Sequence, residues 1–371
     1  MKVLNLIWGF SLGGVGKCFI QYAKLGVIDP TIIIHSACIY GEHWNCDLKP
    51  LKEIGASLIP IRGHTDISWI GHCAKLVESS SPDFVFVHGF NGPIIARAIQ
   101  IKLKRKIPFV CSYHGFYHAP SLSRIPLAPV FNKAAEYVYS HHATAVVAVA
   151  QYCKNQLVFR GVPEHKITVI HNGLPARQQA GKLVTRADAG LVDSNFVIGI
   201  ASRLDPVKGL EYLLAAFANI VLVYPMARLL LVGDGPCEKN LRKQSAKLDI
   251  ADKVIFTGYQ DNVDNWLDVF DVFVLPSLAE YHSIALLEAM RAGKAIVATD
   301  VGGNTESVVH EKHGLIVPSA NAAALQKAII RLIENSEFRN NLGASAQNRF
   351  KAEFTEDRMI EKMSIWLKRF A

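Results

Sequence analysis

Residues 272–293 read Val-Phe-Val-Leu-Pro-Ser-Leu-Ala-Glu-Tyr-His-Ser-Ile-Ala-Leu-Leu-Glu-Ala-Met-Arg-Ala-Gly. The opening Val272-Phe273-Val274-Leu275 is a short apolar run ended by Pro276, the pattern of a buried parallel strand. Ser283 is a good N-cap, residues 284–292 are rich in helix formers, and Gly293 suits the left-handed position after a helix. A buried strand that feeds a helix through a short polar loop is the unit of a parallel α/β sheet. In such sheets ligands gather at the carboxyl ends of the strands, where the free N–H groups of a helix N-terminus attract phosphate. Two acids bracket this place: Glu280 in the loop, and Glu288 a little over one turn inside the helix.

Outward from this stretch the same alternation repeats along the chain. Seven strands are expected in the first half, from 3–7, then 31–35, to 167–170. Five are expected in the second, from 197–201 to 295–298. The reading is α/β, with two Rossmann-like doubly wound domains. Residues 172–194 are polar, without hydrophobic period, and read as a linker leading into the second domain. From about Thr355, Met359, Ile360, Met363, Trp366 and Leu367 recur at helical spacing. The expected domains are 1–175, 176–354 and a terminal helix at 355–371.

The bulk numbers agree. The 371 residues suffice for two cores, and 50% hydrophobic with 19% charged is a globular composition. No apolar run approaches the roughly 20 residues that span a bilayer. The apolar start at Val3–Phe10 is interrupted by Asn5 and reads as a first strand, not a leader. Seven scattered cysteines with no C-x-x-C pair suit a reduced compartment rather than disulfides or zinc. Part of the net charge of +8 is local, in Arg97, Lys102, Lys104, Arg105 and Lys106. Those cations fit either a helix C-terminus or an anionic membrane surface. Nucleic acid is disfavoured, because no aromatic residues interleave with them.

The quoted stretch resembles the Glu-x7-Glu signature of the retaining glycosyltransferases of family 4. Ile198-Gly-Ile-Ala-Ser-Arg-Leu-Asp-Pro-Val-Lys-Gly209, Leu229-Leu-Leu-Val-Gly-Asp-Gly-Pro236, Val254-Ile-Phe-Thr-Gly258, Ile170-His-Asn-Gly173 and Gly13-Gly14 are similar to further landmarks of that family, in the family's order. The resemblance implies the GT-B fold: two Rossmann-like domains facing across a cleft, the first for the acceptor, the second for a nucleotide sugar. It also implies that the terminal helix crosses back to pack on the first domain.

A nucleotide-sugar enzyme must hold two phosphates and help the diphosphate leave. No Asp-x-Asp pair occurs to carry a metal for this. Arg203 and Lys208, five residues apart after a buried strand, offer cations instead; by resemblance they are the diphosphate-binding pair. Glu280 and Glu288 read locally as favourable charges at a helix N-terminus. The resemblance implies that Glu288 binds the ribose and Glu280 the transferred sugar, with Ser283 and Ile284 at the phosphates. It further implies that Gly13 and Gly14 approach the donor, that His114 faces the sugar, and that Tyr259 and Gln260 lie where the base is held. His88 reads as a structural strand-end residue. Tyr117 and His118 are candidates for the acceptor side, and His141-His142 lacks the other ligands of a metal site.

The chain departs from the family at Tyr281-His282-Ser283-Ile284, where the family often has Gly-Phe-Gly/Pro-Leu/Asn. Loss of Gly removes backbone freedom, and Tyr and His are expected to bring bulk and polar groups near the sugar. The resulting expectation is a retaining hexosyltransferase with no metal or other cofactor. Its donor is a UDP-sugar ahead of GDP-mannose, and its acceptor a glycan or lipid-linked hydroxyl in cell-surface polysaccharide or lipopolysaccharide assembly. The protein is expected in the cytoplasm, with peripheral contact to an anionic membrane through the basic first domain, and without nucleic acid. A nucleotide-sugar epimerase of the same fold and a non-catalytic partner subunit are the alternatives.

Overall fold

The computed structural model describes residues 1–10, 14–41, 47–63, 66–89, 91–115, 128–177 and 184–370. The chain divides into two compact units, Met1–Asn172 with Glu356–Ala371, and Gly173–Thr355.

In the first unit, β1 (Lys2–Trp8), β2 (Ile33–Gly41), β3 (Ser57–Ile61), β4 (Phe84–His88), β5 (Phe109–Tyr113), β6 (Ala145–Ala148) and β7 (Ile167–Val169) form one sheet. Its order is β3-β2-β1-β4-β5-β6-β7, and every pairing is parallel. Helices cover both faces of such a sheet, so its strands read as continuous apolar runs; Phe84–His88 and Phe109–Tyr113 are buried at every residue. The terminal helix Glu356–Leu367 is part of this unit. Its Met359, Ile360, Met363, Trp366 and Leu367 join Val3, Tyr22, Phe84, Phe86 and Val110 in one core. Around its ends Lys24 pairs with Glu356 at 3.1 Å, and Lys368 with Asp29 at 2.6 Å.

In the second unit, β8 (Phe196–Ala201), β9 (Ala227–Val232), β10 (Val254–Phe256), β11 (Val272–Leu275), β12 (Ala295–Thr299) and β13 (Leu315–Val317) run in the order β10-β9-β8-β11-β12-β13, again all parallel. The core is continuous from Leu213 and Phe217 through Phe270 and Phe273 to Leu287, Ile329 and Phe350. A Cβ on Gly199 would lie 2.2 Å from the Phe270 ring, so glycine in β8 lets that ring seat on the strand.

Two strand readings differ from the sequence expectation. The second strand is shifted, from 31–35 to Ile33–Gly41, because Thr31 is held in a turn by Asp29 (2.6 Å). Strand β13, three residues between Gly314 and Pro318, was not expected. Thr185 to Leu191 forms turns that belong to the second unit, with Ala189 and Leu191 buried in its core.

Candidate functional site

The second sheet reverses its winding between β8 and β11: the chain leaves β8 toward β9 and β10, and leaves β11 toward β12 and β13. That is the switch point at which open α/β sheets bind ligands. The loops after these two strands are stitched together. Leu278 N donates to Val207 O at 2.7 Å, and a Cβ on Gly209 (φ +59) would meet Pro276 O at 2.3 Å. Lys208 Nζ donates to Glu280 Oε1 at 2.6 Å, and Ser277 Oγ donates to the same oxygen at 2.7 Å. These side chains are largely covered, Lys208 at 19% exposure and Glu280 at 10%. A close pair with restricted solvent is held more strongly than a surface one.

Arg203, on the same loop as Lys208, is 72% exposed and lies 4.0 Å from Asp205. Its guanidinium therefore remains largely available to a ligand. The Gly-Asp-Gly-Pro turn after β9 braces this loop from below. Leu204 N donates to Asp234 O at 2.7 Å, and Gly233 (φ +129) runs so close that a Cβ would meet Ser202 O at 2.1 Å.

The helix Ile284–Arg291 opens at the same crevice. Ser283 caps it, accepting from Leu286 N at 3.4 Å, and Gly293 (φ +67) follows its end. Glu288 is buried in its second turn. His282 does not stand where the sequence suggested. It is 6% exposed, with Nε2 3.2 Å from the buried Ser307 Oγ and its ring 5.7 Å from Phe354. The imidazole is thus turned into the unit and adds no bulk in the crevice.

Tyr259 is 58% exposed after the left-handed Gly258. Gln260, beside it, has both ends of its amide in use: Nε2 donates to Thr257 O at 3.0 Å, and Oε1 accepts from Trp266 Nε1 at 3.0 Å. That places Gln260 as a brace of the loop, with Tyr259 the side chain that projects.

In the first unit the winding reverses between β1 and β4. Gly14 opens the helix Gly14–Ala23 that follows β1; Gly13, Tyr117 and His118 lie outside the described residues. His114 follows β5 directly, its Nε2 2.8 Å from Ser112 Oγ. Burial pushes its pKa down to about 4, so the ring is neutral near pH 7. His88 is structural. Its Nε2 donates to Asn5 Oδ1 at 2.5 Å, its ring packs on Phe86 and Tyr22, and burial holds it neutral. His141 stacks on Tyr137 and holds Tyr137 O at 3.0 Å through Nδ1, a helix-end arrangement.

Ser277 and Gly302 were not singled out in the sequence. Ser277 shares Glu280 with Lys208, and a Cβ on Gly302 (φ +54) would lie 1.6 Å from Glu280 O. The available signals were a serine directly after the proline that ends a strand, and a Gly-Gly pair after the next one.

Comparison with known proteins points the same way for both halves. Residues 182–349 match the model for "Glycosyl transferases group 1", and residues 53–178 that for "Glycosyltransferase Family 4". The chain is 25% identical over 300 residues to the N-acetyl-alpha-D-glucosaminyl L-malate synthase of Bacillus anthracis, covering 80% of this chain and 77% of that protein. It is 25% identical over 301 residues to the UDP-Gal:alpha-D-GlcNAc-diphosphoundecaprenol alpha-1,3-galactosyltransferase of Escherichia coli, covering 78% and 76%. Among solved structures, HepE of Anabaena in complex with UDP superposes with a TM-score of 0.83 over 100% of both chains, at 21% identity.

Proposed function

Because the chain belongs to the glycosyltransferases of family 4 and has their GT-B fold, we propose that it moves a hexose-type sugar from a nucleoside-diphosphate sugar to a hydroxyl of a glycan or lipid-linked acceptor, with retention and without a metal. The chain is a glycosyltransferase. The observation that carries this reading is the pair Lys208–Glu280, held at a switch point beside the exposed Arg203 and the mouth of a helix.

In this reading the acceptor oxygen attacks the anomeric carbon from the face that the diphosphate leaves. The bond from that carbon to the phosphate oxygen breaks, its electron pair stays on the diphosphate, and the acceptor's proton passes to the departing phosphate oxygen. Lys208 and Arg203 stabilise the charge that develops there, as pre-organised cations do. Lys208 can do so while holding Glu280, since an ammonium has three donors. Oε2 of Glu280 serves the sugar, and by the family resemblance His114 is a hydrogen-bonding group, its ring neutral rather than charged. A UDP-sugar is favoured, because HepE is described with UDP and the Escherichia coli relative is named for UDP-Gal. The latter name also supports a lipid-linked acceptor.

Peripheral contact of the basic cluster with an anionic membrane is supported by the grouping of its charges. The helix Gly92–Leu103 ends at Lys104 and leads into the start of β5, so Lys102, Lys104, Arg105 and Lys106 line the amino-terminal edge of the first sheet. His114 stands at the opposite, carboxyl edge. Cations at a helix C-terminus also suit its dipole. No helix among the described residues is long and apolar enough to cross a membrane.

The test is thermal stabilisation by UDP-, GDP-, ADP- and dTDP-sugars, with and without EDTA, since a ligand that binds only the native state raises stability with its concentration. A selective shift that survives EDTA supports the proposal, and the anomeric signal of the product then reports retention. No shift with any donor removes it. Conversion of the sugar without an acceptor would make the protein an epimerase.

A further inference from the structure

We propose that His282 is a positioning residue that sets where Glu280 meets the donor sugar, acting through Ser307; this rests on the transfer reading above. His282 lies two residues beyond Glu280 and directly before the helix cap Ser283. Its Nε2 is hydrogen-bonded to Ser307 Oγ, and both residues are buried. Inside a protein such a bond holds its partners firmly, because leaving either group unpaired costs its desolvation.

Ser307 ends the short helix Asn304–Ser307, which is fixed from two other directions. Asn304 Nδ2 donates to Thr299 O at 3.1 Å, tying it to the end of β12, and Arg349 Nη2 donates to Glu306 O at 2.9 Å. Gly302, just before this helix, lies against the Glu280 carbonyl. The loop bearing Glu280 is therefore gripped at three points: its carboxylate by Lys208 and Ser277, its carbonyl by Gly302, and its far end by His282. Two of these grips belong to the segment from Gly302 to Ser307.

Arg203 and Lys208 are on the other loop, and the backbone of Ser283 and Ile284 is held separately by the helix they open. Losing the His282 bond should then disturb the sugar more than the nucleotide. The departure from the family at this position is a brace for the acid, not the loss of a working site.

The full chain is compared with His282→Phe, which keeps an aromatic ring beside Phe354 but removes the bond, with Ser307→Ala, with the double variant, and with His282→Gln, whose amide can reach Ser307. UDP affinity is measured by calorimetry, and UDP release from UDP-sugars by a coupled assay that needs no acceptor. Amide exchange over residues 278–284 is followed without ligand.

We expect turnover to fall by up to about 10²-fold in each single variant, the size that a small misplacement can cost, and UDP affinity to fall clearly less. The double variant should lose no more than either single one, Gln should recover most of the loss, and exchange should quicken in the Phe variant. Unchanged turnover and exchange in His282→Phe, additive losses in the double variant, or equal losses of UDP affinity and turnover would each overturn the assignment. If the parent neither binds UDP nor releases it from any donor, the transfer reading falls. The exchange comparison then still decides whether His282 braces the loop.

Discussion

At the scale of single residues, Lys208 carries the heaviest expectation. Replacing it with Ala removes a cation from the leaving group and takes a partner from Glu280, so turnover should fall by about 10²–10³, the usual cost of losing one pre-organised group. Arg203→Ala should cost less, about tenfold, because its exposed guanidinium has more freedom to lose on binding. Steady-state rates on one donor check both; equal, small effects would remove the pair from the diphosphate. His114 gives a pH prediction. Its pKa is about 4 in the fold against an ordinary value near 6.5, the cause being burial. Between those values the unfolded chain binds more protons, so the first unit should lose stability as pH falls from about 6.5 to 4. His88 adds to the same sign, its pKa also lowered by burial and by His114. Asp29 acts lower: its partners Lys368, Ser364 and Thr31 depress its pKa, so its contribution persists until the pH falls below the ordinary carboxylate range. Denaturant titrations at several pH values test this, and His114→Gln should flatten the slope. The residue scale is also where the sequence was least legible. Arg203, Lys208, Glu280 and Glu288 stand out through the family resemblance, but the inward turn of His282 and the occupied amide of Gln260 depend on neighbours 25 and 6 residues away.

At the scale of elements, the helix Ile284–Arg291 was legible almost residue by residue, because its signals are local: Ser283 supplies the cap, and Gly293 the left-handed exit. Ser283→Ala should lower stability by about 1 kcal/mol and weaken donor binding, as the cap sets the helix mouth. Loops are less legible, because what fixes them is close approach from distant sequence. Gly302 is the clearest case. Its φ of +54 already disfavours a side chain, and a Cβ would collide with the Glu280 carbonyl. Gly302→Ala should therefore displace Glu280 and abolish transfer, while circular dichroism remains that of the parent. Near-parental turnover would show that the loop moves freely and that the grip on Glu280 is unimportant. The shifted β2 and the unforeseen β13 have another cause. Ile33 and His35 are exposed or polar, which hides the run to Gly41, and a three-residue edge strand carries too few residues for any period to show.

At the scale of the whole molecule, the chain order and the spatial order of the units differ. The last helix, Glu356–Leu367, returns to the first unit's core, whereas the rest of the second half is complete without it. Hydrophobic spacing shows that a terminal helix exists and which face it buries; its destination is a long-range fact that came only through family resemblance. The consequence can be measured. Trp366 is buried with its Nε1 donating to Thr168 Oγ1 at 3.0 Å, so Trp366→Ala should cost the first unit about 3–5 kcal/mol. Residues 173–355, expressed alone, hold Arg203, Lys208, Glu280, Ser283 and Glu288 together with an intact core. That fragment should unfold cooperatively and be stabilised by UDP, whereas residues 1–172 without the helix should leave apolar core exposed and aggregate. If the Trp366→Ala full chain shows a lowered first transition and an unchanged, UDP-sensitive second one, nucleotide recognition resides in the second unit. If UDP no longer stabilises either transition, or fails to bind the isolated fragment, recognition requires residues of the first unit as well, and Gly14 and His114 become the first positions to replace.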